Sequence, residues 1–491
     1  MTAAVGATTE VVLALDIGTS GARAFTYDED FVVRSGASRL VRTYTTSDGA
    51  SWQSWPDLAL SALDCVRQVI GESGARVAAL VLSGTASCLV SSWTEAGELR
   101  TGDVILWSDR RAVVEQRELT ALLEASYPRT LCPAHVSYWP AKLQWLAGRD
   151  PQRFGTKRLG GAKDLLFELL CGERWTDPMT AAATGVFDSS SWEWDDELLG
   201  VGLVRKDQLP DVNDATRSAP MRRDQAKALG LPSGTPVVLG GMDGPLAQIG
   251  AAGWDEKIAT CTLGTSIAFR AATGARTPDP TRRAWCYPVS RTLWVVGGAG
   301  SNGGNVMEWA HDLVGGGLLG DLLRQALALP IDPGLLFLPY LNGERSPLWR
   351  DDLRGAIVGL GAHHRRVDIV RAALDGVAVA LKELAEAVSA CVPDVAEVRL
   401  TGGFLQEDAW VQLVTDALGV PTAVPEPKEA TATGAAVLGW LALGRPAPVP
   451  PLPSRPTDLH LPAMEVHRAL AAKAASLREV RQHLYPVRNS R

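Results

Sequence analysis

The chain has 491 residues, 46% apolar and 21% charged, with a formal net charge of −7. That length leaves room for two or three domains with large cores, and the acidic balance argues against nucleic acid or an anionic membrane as the main partner. No apolar run reaches the ~18 residues of a membrane span, and the start carries no positive charge ahead of its apolar run, unlike a secretory signal. The seven cysteines are scattered, with no Cys-x-x-Cys and no histidine pair at ligand spacing. They read as reduced thiols of a cytoplasmic protein, with neither a zinc site nor a disulfide framework.

Residues 11–15 form an apolar, β-prone run that enters the turn Asp16-Ile17-Gly18-Thr19-Ser20, and a second run follows over 24–27. Glycine permits close approach, and the N–H groups and hydroxyls of such a turn converge on one spot, so the turn suits phosphate oxygens. Asp16, a carboxylate among groups that attract anions, is explained by a divalent cation or by the ordinary turn habit of aspartate. Arg23, on the outgoing strand, is either a forked phosphate donor or an exposed edge-strand charge. Hydrophobic periodicity predicts a strand over 77–81 and a helix over 112–123. Trp107-Ser108-Asp109-Arg110-Arg111 and Tyr138-Trp139-Pro140-Ala141-Lys142 mix rings with charge, as a polyhydroxylated ligand requires, although 16 tryptophans place some of these rings in the core. Strands alternating with helices predict an α/β fold.

Residues 236–239 read as a buried strand running into Gly240-Gly241-Met242-Asp243-Gly244-Pro245. Local turn chemistry alone accounts for Asp243. Phosphoryl transfer to an alcohol, however, needs one carboxylate to accept a proton, and a strand end between two halves is where such a base would sit. The domain boundary is placed there, giving 1–245 and 246–491. The second half then repeats the opening device: an apolar run over 259–263 enters Gly264-Thr265-Ser266, and Gly18 and Gly264 stand 246 positions apart. Either turn alone reads as an ordinary hairpin. Their matched placement points to two related domains holding a nucleotide's phosphates between them. The glycine-rich stretch 297–304 leads into a helix over 305–313 whose N-terminus suits phosphate. A long helix is expected over 369–388, then a strand over 398–401, the pair Gly402-Gly403 open to a flat base, and a helix over 409–418. A proline-rich linker over 445–456 and a closing helix over 465–484, with Val466, Leu470, Ala474, Leu477 and Leu484 at helical spacing, complete the chain.

In this order, the pieces resemble the FGGY carbohydrate kinases over nearly the whole chain. The resemblance rests on Asp16-Ile17-Gly18-Thr19-Ser20 with Arg23, Trp107-Ser108-Asp109-Arg110-Arg111, Ala141-Lys142-Leu143-Gln144-Trp145, Gly240-Gly241-Met242-Asp243-Gly244, and Leu263-Gly264-Thr265-Ser266. It continues through Gly343-Glu344-Arg345-Ser346-Pro347, Thr401-Gly402-Gly403 ahead of Trp410, and Gly434-Ala435-Ala436. It implies two actin-like, ribonuclease-H-like α/β domains around a catalytic cleft, with ATP and Mg²⁺ on the second-domain side and sugar on the first. By position, Asp243 matches the catalytic base and Asp16 the magnesium-organising carboxylate. Thr19, Ser20, Arg23, Gly264, Thr265 and Gly304 match phosphate contacts, and Gly402, Gly403 and Glu407 the adenine pocket. Thr85, Ser87, Trp107, Asp109, Arg110 and Asp243 fall on the sugar side, and Arg345 is expected to pair with Glu344. Trp285-Cys286-Tyr287-Pro288 and Glu344-Arg345-Ser346-Pro347-Leu348-Trp349 resemble the gluconokinase branch. One departure stands out: Ala86 and Ser87 replace a Met-His pair usual in gluconokinases and xylulokinases, which implies a roomier pocket. Were the substrate gluconate, Arg110 or Lys142 would face its carboxylate. The expected activity is ATP-dependent phosphorylation of a sugar, sugar acid or polyol, gluconate first and xylulose or another ketose second. A non-catalytic nucleotide- or sugar-binding regulator is the rival reading, and a homodimer is compatible with the chain.

Overall fold

The computed structural model describes residues 9–96, 98–149, 151–405, 407–425, 429–446 and 459–486. Each half of the chain is built on a six-stranded mixed sheet. The first runs Ser218–Pro220, Pro236–Met242, Arg76–Gly84, Glu10–Gly18, Gly21–Tyr27, Val33–Leu40, and the second Trp285–Pro288, Trp294–Ala299, Ile267–Thr273, Ile258–Leu263, Glu397–Thr401, Thr422–Ala423. The repeat seen in sequence is a repeat of topology. Asp16 pairs antiparallel with Arg23 across the first turn and parallel with Ser83; Thr262 pairs antiparallel with Ala268 across the second and parallel with Thr401.

The run at 11–15 is apolar throughout because both faces of its sheet are covered. Val11, Leu13 and Leu15 pack in the cluster of the helix Trp55–Ser73, while Val12 and Ala14 share a cluster with Ala435, Ala436 and Trp440 of the helix Ala430–Ala442. That helix, from late in the chain, thus lies beneath the first sheet. It crosses the helix Asp243–Ala252 backbone to backbone. A Cβ on Gly250 would stand 1.8 Å from the Ala430 carbonyl oxygen, and one on Gly434 2.0 Å from that of Leu246. The expected division at 245/246 falls inside Asp243–Ala252.

The long helix spans Arg366–Ser389, the later strand Glu397–Thr401 and its following helix Asp408–Leu418. Two expectations need correction. The helix expected over 112–123 is two, Val113–Glu118 and Thr120–Thr130, meeting at Leu119. The first buries no residue and the second buries Leu123, Ser126, Tyr127 and Thr130, so no single apolar stripe holds them on one axis. The closing helix Met464–Leu484 buries Leu470, Ala474 and Leu477 as expected, but Leu484 is exposed, Val466 is only half-buried, and Lys473 is buried against Asp375 at 2.8 Å. Most of the proline-rich stretch, 447–456, lies outside the described residues. All seven cysteines are unpaired, five of them buried. No helix among the described residues is long and apolar enough to cross a membrane.

Candidate active site

Asp243 is the first residue of the helix that follows the strand Pro236–Met242. Its Oδ1 accepts the Gly244 N–H at 2.7 Å, and the helix N-terminus favours a carboxylate there. Burial nevertheless raises its pKa, with Arg270, the Gly244 N–H and Arg345 pulling the other way. The carboxylate forms part of the wall of a cavity of about 200 Å³ that also takes in Thr19 from the first turn, Ser266 from the second, and Ser87, Trp107, Tyr138, Trp285 and Tyr287. Trp285 and Tyr287 stack at 4.2 Å, and the Tyr287 and Tyr138 hydroxyls stand 3.1 Å apart. A second cavity of about 470 Å³ shares Thr19, Trp107, Ser266 and Arg345 and adds Thr265, Ser301, Asn305 and Arg110. Both Gly-Thr-Ser turns therefore open on one cleft.

Near the end of the first strand, Asp16 Oδ1 accepts the Ser83 hydroxyl at 2.8 Å. Burial lifts the Asp16 pKa to about 6; the Ser83 bond opposes this and the charges of Asp243 and Glu429 add to it. Arg23 pairs with Glu429 at 3.3 Å in an exposed position. An acid raised by burial and by neighbouring acids accommodates a hard divalent cation. The one triplet of close metal-ligating side chains among the described residues, Asp332, His363 and His364, does not include it. Asp16 offers the single carboxylate that a Mg²⁺ site needs, since Mg²⁺ takes one or two carboxylates and completes its shell with phosphate oxygens and water.

Several other expected contacts bond within the protein. Arg110 ties the first half to the second: it donates to the Asn342 and Asp351 carbonyls, each at 2.9 Å, and pairs with the Asp351 carboxylate at 2.6 Å. It sits at the rim of the cleft with its fork occupied. Asp109 is buried, accepting from Ser51 N at 3.0 Å and Arg111 Nη2 at 2.6 Å. Thr85 turns both its N–H and its hydroxyl onto the Ile17 carbonyl, and Ser87 donates to the Ala183 carbonyl. Lys142 is buried, with Nζ donating to Leu106 and Ser137 carbonyls. The glycine-rich loop differs from expectation as well. The N–H groups of Gly304 and Asn305 donate to the Gly264 and Thr265 carbonyls, so this helix start braces the second turn instead of presenting free donors. The missing Cβ of Gly304 makes room for the Phe404 ring.

Gly402 and Gly403 are exposed. Gly402 has a φ of 111° and a Cβ there would meet the Leu263 carbonyl oxygen at 2.2 Å, whereas nothing crowds Gly403. Glu407 accepts Arg324 Nη1 at 2.9 Å. Arg345 does not pair with Glu344 through its side chain. Glu344 is buried, its pKa raised to about 7 by burial, and accepts the Ser301, Asn302 and Arg345 nitrogens, while the Arg345 guanidinium lies 3.9 Å over the Trp107 ring.

Sequence reasoning missed Arg270, which lines the cavity beside Asp243. Its signal was present: a lone charge in a strand whose other residues are apolar up to Thr273.

This geometry agrees with what the chain resembles. Sequence profiles of the N-terminal and C-terminal domains of the FGGY family of carbohydrate kinases match residues 11–250 and 259–443. A gluconokinase from Bacillus licheniformis is 28% identical over 458 residues, covering 89% of this chain and 88% of its own. Among solved structures, a gluconate kinase from Lactobacillus acidophilus aligns with a TM-score of 0.90 at 26% identity, covering 98% of this chain and 99% of its own. A ligand-bound xylulose kinase from the same organism also aligns at 0.90 and 26%, covering 97% and 99%. The two sheets around one cleft are accordingly the actin-like, ribonuclease-H-like pair. The chain belongs to the FGGY family of carbohydrate kinases, phosphotransferases that act on an alcohol group.

Proposed function

We propose that the chain transfers the γ-phosphoryl group of ATP to a primary hydroxyl of a gluconate-type sugar acid, with xylulose or another ketose as the second reading. One observation carries the mechanism: Asp243 lies in the wall of a polar and aromatic cavity onto which both Gly-Thr-Ser turns open. In this reading Asp243 accepts the hydroxyl proton as the sugar oxygen attacks. Burial makes it a stronger base than an exposed aspartate, and Arg270 with the Gly244 N–H favours its ionised form. Thr19 and Ser20 from the first turn, Arg23 from the strand leaving it, and Gly264 and Thr265 from the second turn face the phosphates. Asp16 would hold Mg²⁺, which when bound neutralises charge on the phosphate oxygens. Gly402 and Gly403 offer an exposed, side-chain-free surface to the adenine, and Trp107 and Tyr138 flank the sugar.

Residues 1–245 then form most of the sugar side and 246–491 the nucleotide side, with Arg270 and Arg345 of the second part also lining the sugar cavity and the helix Ala430–Ala442 packed beneath the first sheet. The gluconate choice is supported by full-length likeness to a gluconokinase and a gluconate kinase, the ketose alternative by the xylulose kinase. Retention of both Asp16 and Asp243 speaks against a non-catalytic regulator, since a sensor needs no base. An ATP-consumption screen across aldonates, ketopentoses and polyols tests the reading. It is expected to single out the sugar acids, and ATP use that never exceeds the sugar-free rate would refute it.

Nucleotide binding has a separate test. A Cβ on Gly264 would meet only the Ser266 carbonyl oxygen, at an ordinary 3.6 Å, so the fold tolerates a side chain that a phosphate would not. Gly264→Val is expected to weaken ATP binding by about tenfold or more, equivalent to ~1.4 kcal/mol, while sugar affinity is nearly unchanged. Calorimetry on the folded variant decides. Unchanged ATP affinity would make this turn an ordinary hairpin.

A further inference from the structure

Three charged side chains contribute to the wall of the cavity around Asp243: Asp243 itself, Arg270 and Arg345. Two of the three are cations, against one carboxylate. Arg270 donates Nη1 to the Thr262 hydroxyl at 2.9 Å, and its Nε is buried with no acceptor. Arg345 donates one Nη to the Gly300 carbonyl at 2.8 Å, and its Nε is likewise buried and unpartnered. Buried cationic donors left without acceptors are costly, so an acceptor that arrives with the substrate relieves a standing penalty.

Arg270 stands along the strand leaving the second turn, and Arg345 lines both cavities. Side chains alternate across a strand, so Ala268 and Arg270 continue the face begun by Ser266 at the turn. Arg270 is one further step along that face, roughly 7 Å beyond Ala268. Its guanidinium donates to Thr262, the residue paired with Ala268, and shares the cavity wall with Asp243. The other cations considered for this task are occupied, Lys142 by two backbone carbonyls and Arg110 by Asp351.

Building on the sugar-kinase reading above, we propose that Arg270 and Arg345 form a carboxylate-recognising pair that selects sugar acids over neutral sugars and polyols. Guanidinium forks suit a carboxylate because two N–H donors match its two oxygens, and ring stacking on Trp107 holds the Arg345 fork in one plane.

Gluconate and glucitol isolate the carboxylate, since they differ only in one carbon, carboxylate or hydroxymethyl. Their affinities are compared by calorimetry without nucleotide, for the wild-type protein and for R270Q, R345Q and R270K. The wild-type protein is expected to favour gluconate by roughly 100-fold, and each glutamine substitution to shrink that ratio by about tenfold or more, as loss of a charged hydrogen bond does. R270K keeps the charge without the fork, so its ratio is expected to fall between wild type and R270Q. Should R270Q fail to fold, R345Q and R270K carry the same comparison. Equal wild-type affinities, or ratios unmoved by substitution, would overturn the pair. Proportional losses for both ligands would also overturn it, placing the arginines with the transferring phosphoryl group. A protein that uses ATP on glucitol as readily as on gluconate removes the carboxylate pair yet leaves the sugar-kinase reading standing; one that uses ATP on no sugar removes that reading first.

Discussion

Asp243→Asn is expected to lower kcat by about 10²–10⁴-fold while ATP and sugar still bind, because asparagine keeps the shape and loses the proton acceptor. The Gly244 N–H bond survives the change through the amide oxygen, so the helix start stays in place. The wild-type pH profile gives an independent check. The base acts in its ionised form, and burial raises its pKa, so the acid limb of kcat/KM is expected at higher pH than an exposed aspartate would give. Activity should rise with pH through that limb, and the limb should vanish from the residual activity of the variant. Turnover within about threefold of wild type would remove Asp243 from the chemistry, since a general base contributes far more than that.

Gly434→Val is expected to cost about 4 kcal/mol or more, the exceptional range reserved for clashes that no rotamer relieves. Its first added carbon would lie 2.0 Å from the Leu246 carbonyl oxygen, and that oxygen belongs to the main chain of a buried helix. Gly71 supplies the control. It sits inside the helix Trp55–Ser73 with nothing within 4 Å of the point where a Cβ would stand, so Gly71→Ala is expected to stabilise by about 0.4–1 kcal/mol. Denaturant unfolding of both variants measures the contrast. A Gly434→Val midpoint equal to wild type would mean that the two helices part without cost.

The two Gly-Thr-Ser turns were legible because their chemistry is local: glycine, hydroxyl and flanking apolar strands all lie within ten residues. The strand at 11–15 was legible for the same reason, its continuous apolar run requiring cover on both faces. The fate of the charged residues was not. Arg110 and Lys142 look like ligand contacts beside their aromatic neighbours, but carbonyls at 342 and 351, and at 106 and 137, claim them. Apart from Ser137, those partners lie 36 or more residues away in the chain. Gly304 misled for a related reason. A glycine at a helix start resembles a phosphate cradle, and only tertiary structure reveals the Phe404 ring against it and the Gly264 carbonyl on its N–H. Gly434-Ala435-Ala436 was visible as a small-residue motif, whereas its partner Gly250, far away in the chain, was not.

The contact between Gly250 and Gly434 also governs how the cleft can move. Where two main chains touch, there is no layer of side chains to shear, so the halves can swing about that point but cannot slide past one another. Asp243 lies seven residues up the same helix from Gly250, roughly 10 Å away at 1.5 Å per residue. A swing of ~10° about that contact would carry the base through an arc of only about 2 Å at that radius. Groups farther out sweep proportionally wider arcs, so opening spreads the rim while the proton acceptor stays nearly still.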